Sequence, residues 1–158
     1  MAPIVAYADT SVYGGVFDDE FSKRSRRFFE LVGLGRFALL VSDVVRQEVS
    51  RAPAEVQTFL ERLLPHMRLV RFDERVMALR DAYVAHKIVS ARWADDAAHV
   101  ATATVGDADL IVSWNFRHIV HLDRIRRYNA VNALCGYGPV EIRSPAEVIE
   151  YGDEDETD

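Results

Sequence analysis

Three acids and one amide lie so far apart in this chain that only a fold could bring them together: Asp9, Glu48, Asp96 and Asn115. Asp9 closes the apolar run Ile4-Val5-Ala6-Tyr7-Ala8 and is followed by Thr10 and Ser11. Glu48 stands in the apolar-periodic stretch Val44-Val45-Arg46-Gln47-Glu48-Val49. Asp96 opens Asp96-Ala97-Ala98-His99-Val100-Ala101, and Asn115 follows Leu110-Ile111-Val112-Ser113-Trp114. Gathered carboxylates are the oxygen ligands that a hard divalent cation, Mg²⁺ or Mn²⁺, prefers. A cation so held suits metal-assisted hydrolysis of a phosphodiester. His99 shares a helix face with Asp96, but hard cations favour oxygen, so it reads as a hydrogen-bond partner and not as a ligand. Asp95 points about 100° away from Asp96 on a helix and ranks behind it.

The elements that must position these residues are legible from periodicity and punctuation. Residues 3–8 read as a buried strand, 19–33 as a helix stopped by Gly33 or Gly35, and 37–41 as a strand buried on both faces. Ser42 or Asp43 caps a helix to about residue 50, and Pro53 opens another over 54–64. A weaker strand covers 67–72, and Asp73 caps a helix to about residue 88. A helix over 92–105 stops at Gly106, a strand follows at 110–114, and 121–134 is a helix. That last helix carries Leu122, Ile125, Tyr128, Val131 and Leu134 as one apolar stripe. A short strand at 139–143 leads into Ser144-Pro145-Ala146-Glu147, a capping box. Alternating strands and helices imply an α/β fold with a parallel sheet, whose site lies beyond the carboxyl ends of the strands. Asp9 and Asn115 sit at two such ends, whereas Asp107 and Asp109 precede a strand and belong to the opposite edge.

The chain has 158 residues, 49% of them hydrophobic, which fits one domain over 1–150. Its formal charge of −6 argues at first against a nucleic-acid partner. Five of the 25 acids lie in the segment 152–158, however, and 151–158 reads as a solvated, disordered tail. Without it 20 acids face 19 bases, bunched at Lys23-Arg24-Ser25-Arg26-Arg27 and between Arg117 and Arg127. Bunched bases can meet phosphates, or simply form a solvated helix face. One cysteine, Cys135, excludes an internal disulfide and reads as a small buried hydrophobe. No basic n-region or membrane-length apolar stretch is present, so the expectation is a cytoplasmic protein.

Four segments in order resemble the PIN-domain nucleases, and among them the VapC-type ribonuclease toxins of toxin–antitoxin pairs. They are Tyr7-Ala8-Asp9-Thr10-Ser11, then Ser42-Asp43-Val44-Val45-Arg46-Gln47-Glu48-Val49, then Asp96 to Ala103, then Ile111 to His118. The likeness spans about residue 3 to residue 149. It implies a three-layer α/β/α fold with a central, mainly parallel sheet of about five strands. It also implies a Mg²⁺- or Mn²⁺-dependent endonuclease of single-stranded RNA, held by a small antitoxin and forming a homodimer. Carried over residue by residue, Asp9, Glu48 and Asp96 would be metal ligands and Asn115 the fourth site residue. Thr10 or Ser11 would orient water or the metal's hydration shell, and Ser113 would fill the family's Ser/Thr position. The departure is Asn115, where many members carry Asp; it can bind through its amide oxygen, or it can be an ordinary turn residue after a strand.

Arg117, His118 and His121, in the loop after the fourth strand, could meet RNA phosphates or face solvent. Trp93 and Trp114 read as core aromatics more readily than as base-stacking ones. Phe28, Phe29 and Phe59 would anchor a dimer if exposed, and otherwise belong to the core. Two other functions compete. A catalytically weak PIN-like module would bind RNA or protein, with Asn115 marking lost activity. A phosphatase or phospho-receiver domain fits less well. The first wants a second acid where Ser11 stands, and the second wants a lysine where only Arg143 is offered.

Overall fold

Short apolar runs bounded by glycine, proline or polar residues form the central strands, and the longer stretches between them form the helices. The computed structural model describes residues 2–150, so the acidic tail expected at 151–158 lies outside the described residues. Five strands, β1 (Ile4–Ala8), β2 (Phe37–Ser42), β3 (Arg68–Val70), β4 (Leu110–Val112) and β5 (Glu141–Arg143), pair in the order β3-β2-β1-β4-β5. Every pairing is parallel, so the sheet expected to be mainly parallel is wholly so. The helices are α1 (Thr10–Gly15), α2 (Ser22–Gly33), α3 (Asp43–Val49), α4 (Ala54–Leu63), α5 (Glu74–Ala85), α6 (Ala94–Val105) and α7 (Leu122–Leu134). They flank the sheet. α1 packs on α2 and α4, and α5 packs on α6 and α7. The core runs through the sheet's centre, where Ala6, Tyr7, Ala8, Ile111 and Val112 are fully buried.

Local chemistry sets the element ends. Ser42 Oγ accepts from Val45 N (3.0 Å) at the start of α3, and Asp73 Oδ1 accepts from Val76 N (3.0 Å) at the start of α5. α2 ends in a Schellman motif: Gly35 takes φ +82°, its N–H reaches Val32 O (3.0 Å), and Arg36 N reaches Leu31 O (3.0 Å). Glu147 Oε1 accepts from Ser144 N (3.2 Å), the reciprocal half of the expected capping box.

Several expectations are corrected. α1 is a helix that periodicity did not reveal, and α2 begins at Ser22 instead of 19. Asp18 Oδ1 takes the N–H groups of Glu20 (2.9 Å) and Phe21 (3.3 Å), which holds a turn there. On α7, Tyr128 and Val131 are buried, but Leu122 is 67% and Leu134 is 74% exposed. Residues spaced by three drift about 60° per step around a 3.6-residue helix, so the stripe's two ends rotate away from its centre. Buried Asn132, four residues beyond Tyr128, takes that place. Cys135 is exposed, because it is the C-cap of α7 and lies past the packed turns. Phe28 and Phe29 face the core, and Phe59 packs edge-on against Phe29 (4.9 Å), so these aromatics are not free interface anchors.

Trp114 is a core aromatic, as expected. It stacks on Phe21 (4.3 Å), and its indole N–H donates to Ser25 Oγ (2.8 Å). A Cβ at Gly15 would meet Ser25 Oγ at 2.5 Å and Trp114 Nε1 at 3.0 Å, so α1 can reach this pair only without a side chain. Gly15→Ala is therefore expected to cost about 1–3 kcal/mol through overpacking. Urea unfolding reads this directly, and an unshifted midpoint would contradict the close approach of α1 to α2.

Candidate active site

The chain leaves β1 outward through β2 and β3 on one side and later through β4 and β5 on the other. At such a switch point, a parallel sheet opens a crevice beyond the carboxyl ends of its strands. Asp9 is the first residue past β1, and its N–H donates to Val112 O of β4 (3.1 Å). Its side chain is 4% exposed, and both its oxygens accept from serines: Ser11 Oγ on Oδ1 (2.5 Å) and Ser113 Oγ on Oδ2 (2.8 Å). The serines are themselves fixed, since Ser11 Oγ accepts from Trp114 N (2.9 Å) and Ser113 Oγ from Asn115 N (2.9 Å). Burial pushes the Asp9 carboxyl above its ordinary range, opposed by nearby His99 and by the two serine hydroxyls.

Glu48 reaches the same crevice from α3. Its Oε1 accepts from His99 Nε2 (2.5 Å) and Thr10 Oγ1 (3.2 Å). His99 is buried, and its Nδ1 meets the Tyr7 hydroxyl (2.7 Å), which in turn meets Ser42 Oγ (2.8 Å). One polar chain, Ser42–Tyr7–His99–Glu48, thus links β2, β1, α6 and α3 through the core. Burial by itself would raise the Glu48 carboxyl. The His99 hydrogen bond and charge, the Thr10 hydroxyl and Arg51 together hold it below the usual range. Burial works against a charged His99, yet the Glu48 bond and the charges of Asp9, Glu48 and Asp96 raise its pKa.

Asp96 lies in the first turn of α6, half-buried, with His118 Nδ1 donating to its Oδ2 (2.7 Å). Asn115 occupies the turn after β4, and its Oδ1 accepts from Arg117 N (3.2 Å) and His118 N (2.9 Å). The amide oxygen thereby shapes the loop that carries His118 to Asp96. Arg117 and His121 are exposed, and His121 Nδ1 caps α7 by accepting from Arg124 N (3.4 Å). Asp95 is exposed. Asp109 Oδ2 accepts from Val5 N (2.9 Å) at the opposite edge of the sheet, where the sequence placed it. The roles of Tyr7 and of His118 as the holder of Asp96 were not read from the sequence. A tyrosine two residues before Asp9, in an otherwise aliphatic strand, was the available signal for the first.

A hard cation matches this donor set in type. Asp9 is a buried carboxylate that forms no ion pair with Lys or Arg among the described residues, and buried charge needs compensation. Its neighbours in the crevice offer further carboxylate oxygen. As placed, however, no group of three His, Cys, Asp or Glu side chains among the described residues could hold a metal ion. Each carboxylate is instead tied back by protein donors, and among the described residues Glu48 Oε2 and Asp96 Oδ1 take no hydrogen bond.

The backbone is similar to that in the VapBC2 crystal structure from Rickettsia felis bound to a promoter DNA fragment (TM-score 0.57, 12% identity). That match covers 89% of this chain and 98% of the other. FitAcB from Neisseria gonorrhoeae gives a TM-score of 0.55 at 19% identity, covering 89% and 97% of the two chains. FitAB bound to an IR36 DNA fragment gives 0.54 at 18%, covering 89% and 94%. The fold is PIN-like. No family model and no curated protein matches the chain by sequence.

Tyr7→Phe tests the polar chain that aims Glu48. It strips a partner from both Ser42 Oγ and His99 Nδ1, which are buried, with an expected cost of about 1–3 kcal/mol. Denaturant unfolding should show this loss, and a variant as stable as the parent would mean that the chain does not organise the site.

Proposed function

We propose that this protein is a Mg²⁺- or Mn²⁺-dependent endoribonuclease of the PIN type, acting as the toxin of a type II toxin–antitoxin pair in the cytoplasm. One observation carries the reading: the buried Asp9 carboxylate at the switch point, fixed by two serines, without an ion pair to Lys or Arg among the described residues and with Glu48 in the same crevice. Asp9, Glu48 and Asp96 would hold the cation. When bound, it would supply a more acidic water and neutralise charge on the departing oxygen.

The chain's own residues prepare that site. Ser11 and Ser113 fix both oxygens of Asp9, so its carboxylate is oriented before any ligand arrives. His99 and Thr10 hold Glu48 in its ionised form, and His118 orients Asp96. Residues oriented in advance lose little freedom when they engage a ligand or transition state. Ser113 and Asn115 shape the loop after β4, and Arg117 and His121, exposed beyond it, would meet RNA phosphates. The antitoxin and the homodimer belong to the same proposal, since the resemblance is to toxins that pair in both ways. No helix of the described residues is long and apolar enough to cross a membrane.

A second reading draws on two points: Asn115 stands where many members of the resembled family carry Asp, and no three ligands converge among the described residues. Under it the chain is a catalytically weak PIN-like module that binds RNA or protein. Cleavage of a structured RNA by the purified chain separates the readings, run with Mg²⁺, with Mn²⁺ and with EDTA. Metal-dependent cutting that Asp9→Asn and Asp96→Asn each abolish is the expected result. A folded chain, free of partner, that cuts with neither metal would favour the binding module.

A further inference from the structure

Two charge blocks of opposite sign remain outside the site chemistry, one on α2 and one in the segment that follows residue 150. On α2, Lys23, Arg24 and Arg27 share one face at spacings of three and four residues. They line a cleft of about 630 Å³ together with Glu20, Glu30 and Ile149. The acidic block, Asp153, Glu154, Asp155, Glu156 and Asp158, begins four residues beyond Ile149. The chain is helical over 145–150 and reaches residue 150 beside this cleft, since Ile149 is part of the wall.

The basic face is not neutralised by its own surroundings. Arg27 pairs with Glu30 (3.3 Å), but neither Lys23 nor Arg24 forms an ion pair among the described residues. Both are exposed in the first turn of α2, which holds no acid, so they stand at the helix's positive end. Anionic side chains would relieve that placement. A second cleft, which Glu150 lines, has four acids and one base in its wall. That base, Arg143, is already met by Glu141 (2.9 Å) and Glu147 (3.8 Å). An acidic segment is therefore repelled from this cleft and drawn to the one on α2. Its reach suffices: residues 151–158 span at most about 26 Å when extended, and the 12 residues of α2 rise only about 18 Å. A short tether gives an effective concentration on the order of millimolar. Ion pairs too weak to hold a free peptide can then hold a tethered one.

We propose that the acidic segment 153–158 docks on the α2 face formed by Lys23, Arg24 and Arg27 of its own chain, and so covers that face against other polyanions. The contact is made of surface ion pairs and weakens with salt. It is independent of the nuclease reading, since none of these residues belongs to the proposed site.

The chain has two lysines, Lys23 and Lys87, which makes zero-length carbodiimide cross-linking a direct test. Carbodiimide joins an amine to a carboxylate only where the two are in contact. Peptide mass spectrometry of the full chain is expected to find Lys23 joined to acids of 153–158, and exposed Lys87 not joined to them. The link should fade as salt approaches about 1 M, where the Debye length is about 3 Å. A mixture of isotope-labelled and unlabelled chain should give links within one isotope only. Heparin serves as the probe polyanion for the covered face. A chain truncated after Gly152 should elute from heparin at higher salt than the full chain. That gain should vanish when truncated and full chains both carry Lys23→Ala, Arg24→Ala and Arg27→Ala, with circular dichroism to check folding.

No link from Lys23 to the segment, or equal links from Lys23 and Lys87, would overturn the docking. Mixed-isotope links at the proportion of random pairing would overturn it too, by placing the segment on a second copy. A heparin gain that persists without the three bases would show that truncation acts through net charge, and would contradict the covered face.

Discussion

Everything at this site depends on one unfavourable placement: a carboxylate buried at the carboxyl end of the central strand. Asp9 is 4% exposed, and its burial works against ionisation. Two serine hydroxyls and the nearby His99 offset that cost in part. They are available because β1 lies between β2 and β4, so the chain ends that follow β1 and β4 meet above it. The switch in strand order therefore sets both where the site lies and which residues can support Asp9.

The second support runs through the interior. Ser42 caps α3 and also ends the polar chain to Tyr7, His99 and Glu48. A single hydroxyl thus ties the start of a helix to the aim of a carboxylate carried on it. Buried polar groups are costly unless every member is satisfied, and here sheet, α3 and α6 are coupled by that demand. A hydrophobic core would stabilise these elements as well, but would not fix the direction of Glu48. The described state keeps the three carboxylates tied to protein donors instead of converged on one point. Engaging a cation would require exchanging some of these hydrogen bonds for metal–oxygen contacts.

The central strands were legible because they are mostly buried and read as unbroken apolar runs between turn residues, as in Phe37-Ala38-Leu39-Leu40-Val41. Helix starts were legible where a side chain caps them, as at Ser42 and Asp73. α1 was not, since Thr10-Ser11-Val12-Tyr13-Gly14-Gly15 has poor intrinsic helix propensity. Its helix rests on tertiary packing, with Val12 and Tyr13 fully buried. Asp9 and Ser113 could be placed from strand ends alone. The tie between His118 and Asp96 could not, because it depends on a turn that Asn115 Oδ1 folds through two backbone N–H groups. The contact of the Arg117 guanidinium with the Trp93 ring was hidden for the same reason, since it arises only when the loop after β4 meets the turn before α6.

Mn²⁺ binding, measured by electron paramagnetic resonance on the purified chain and on Asp9→Asn, tests the central claim most directly. The account predicts bound Mn²⁺ in the parent chain and a loss of affinity of about tenfold or more in a variant that still folds. No Mn²⁺ binding by the folded parent, or equal binding by the two proteins, would contradict a metal site built on Asp9.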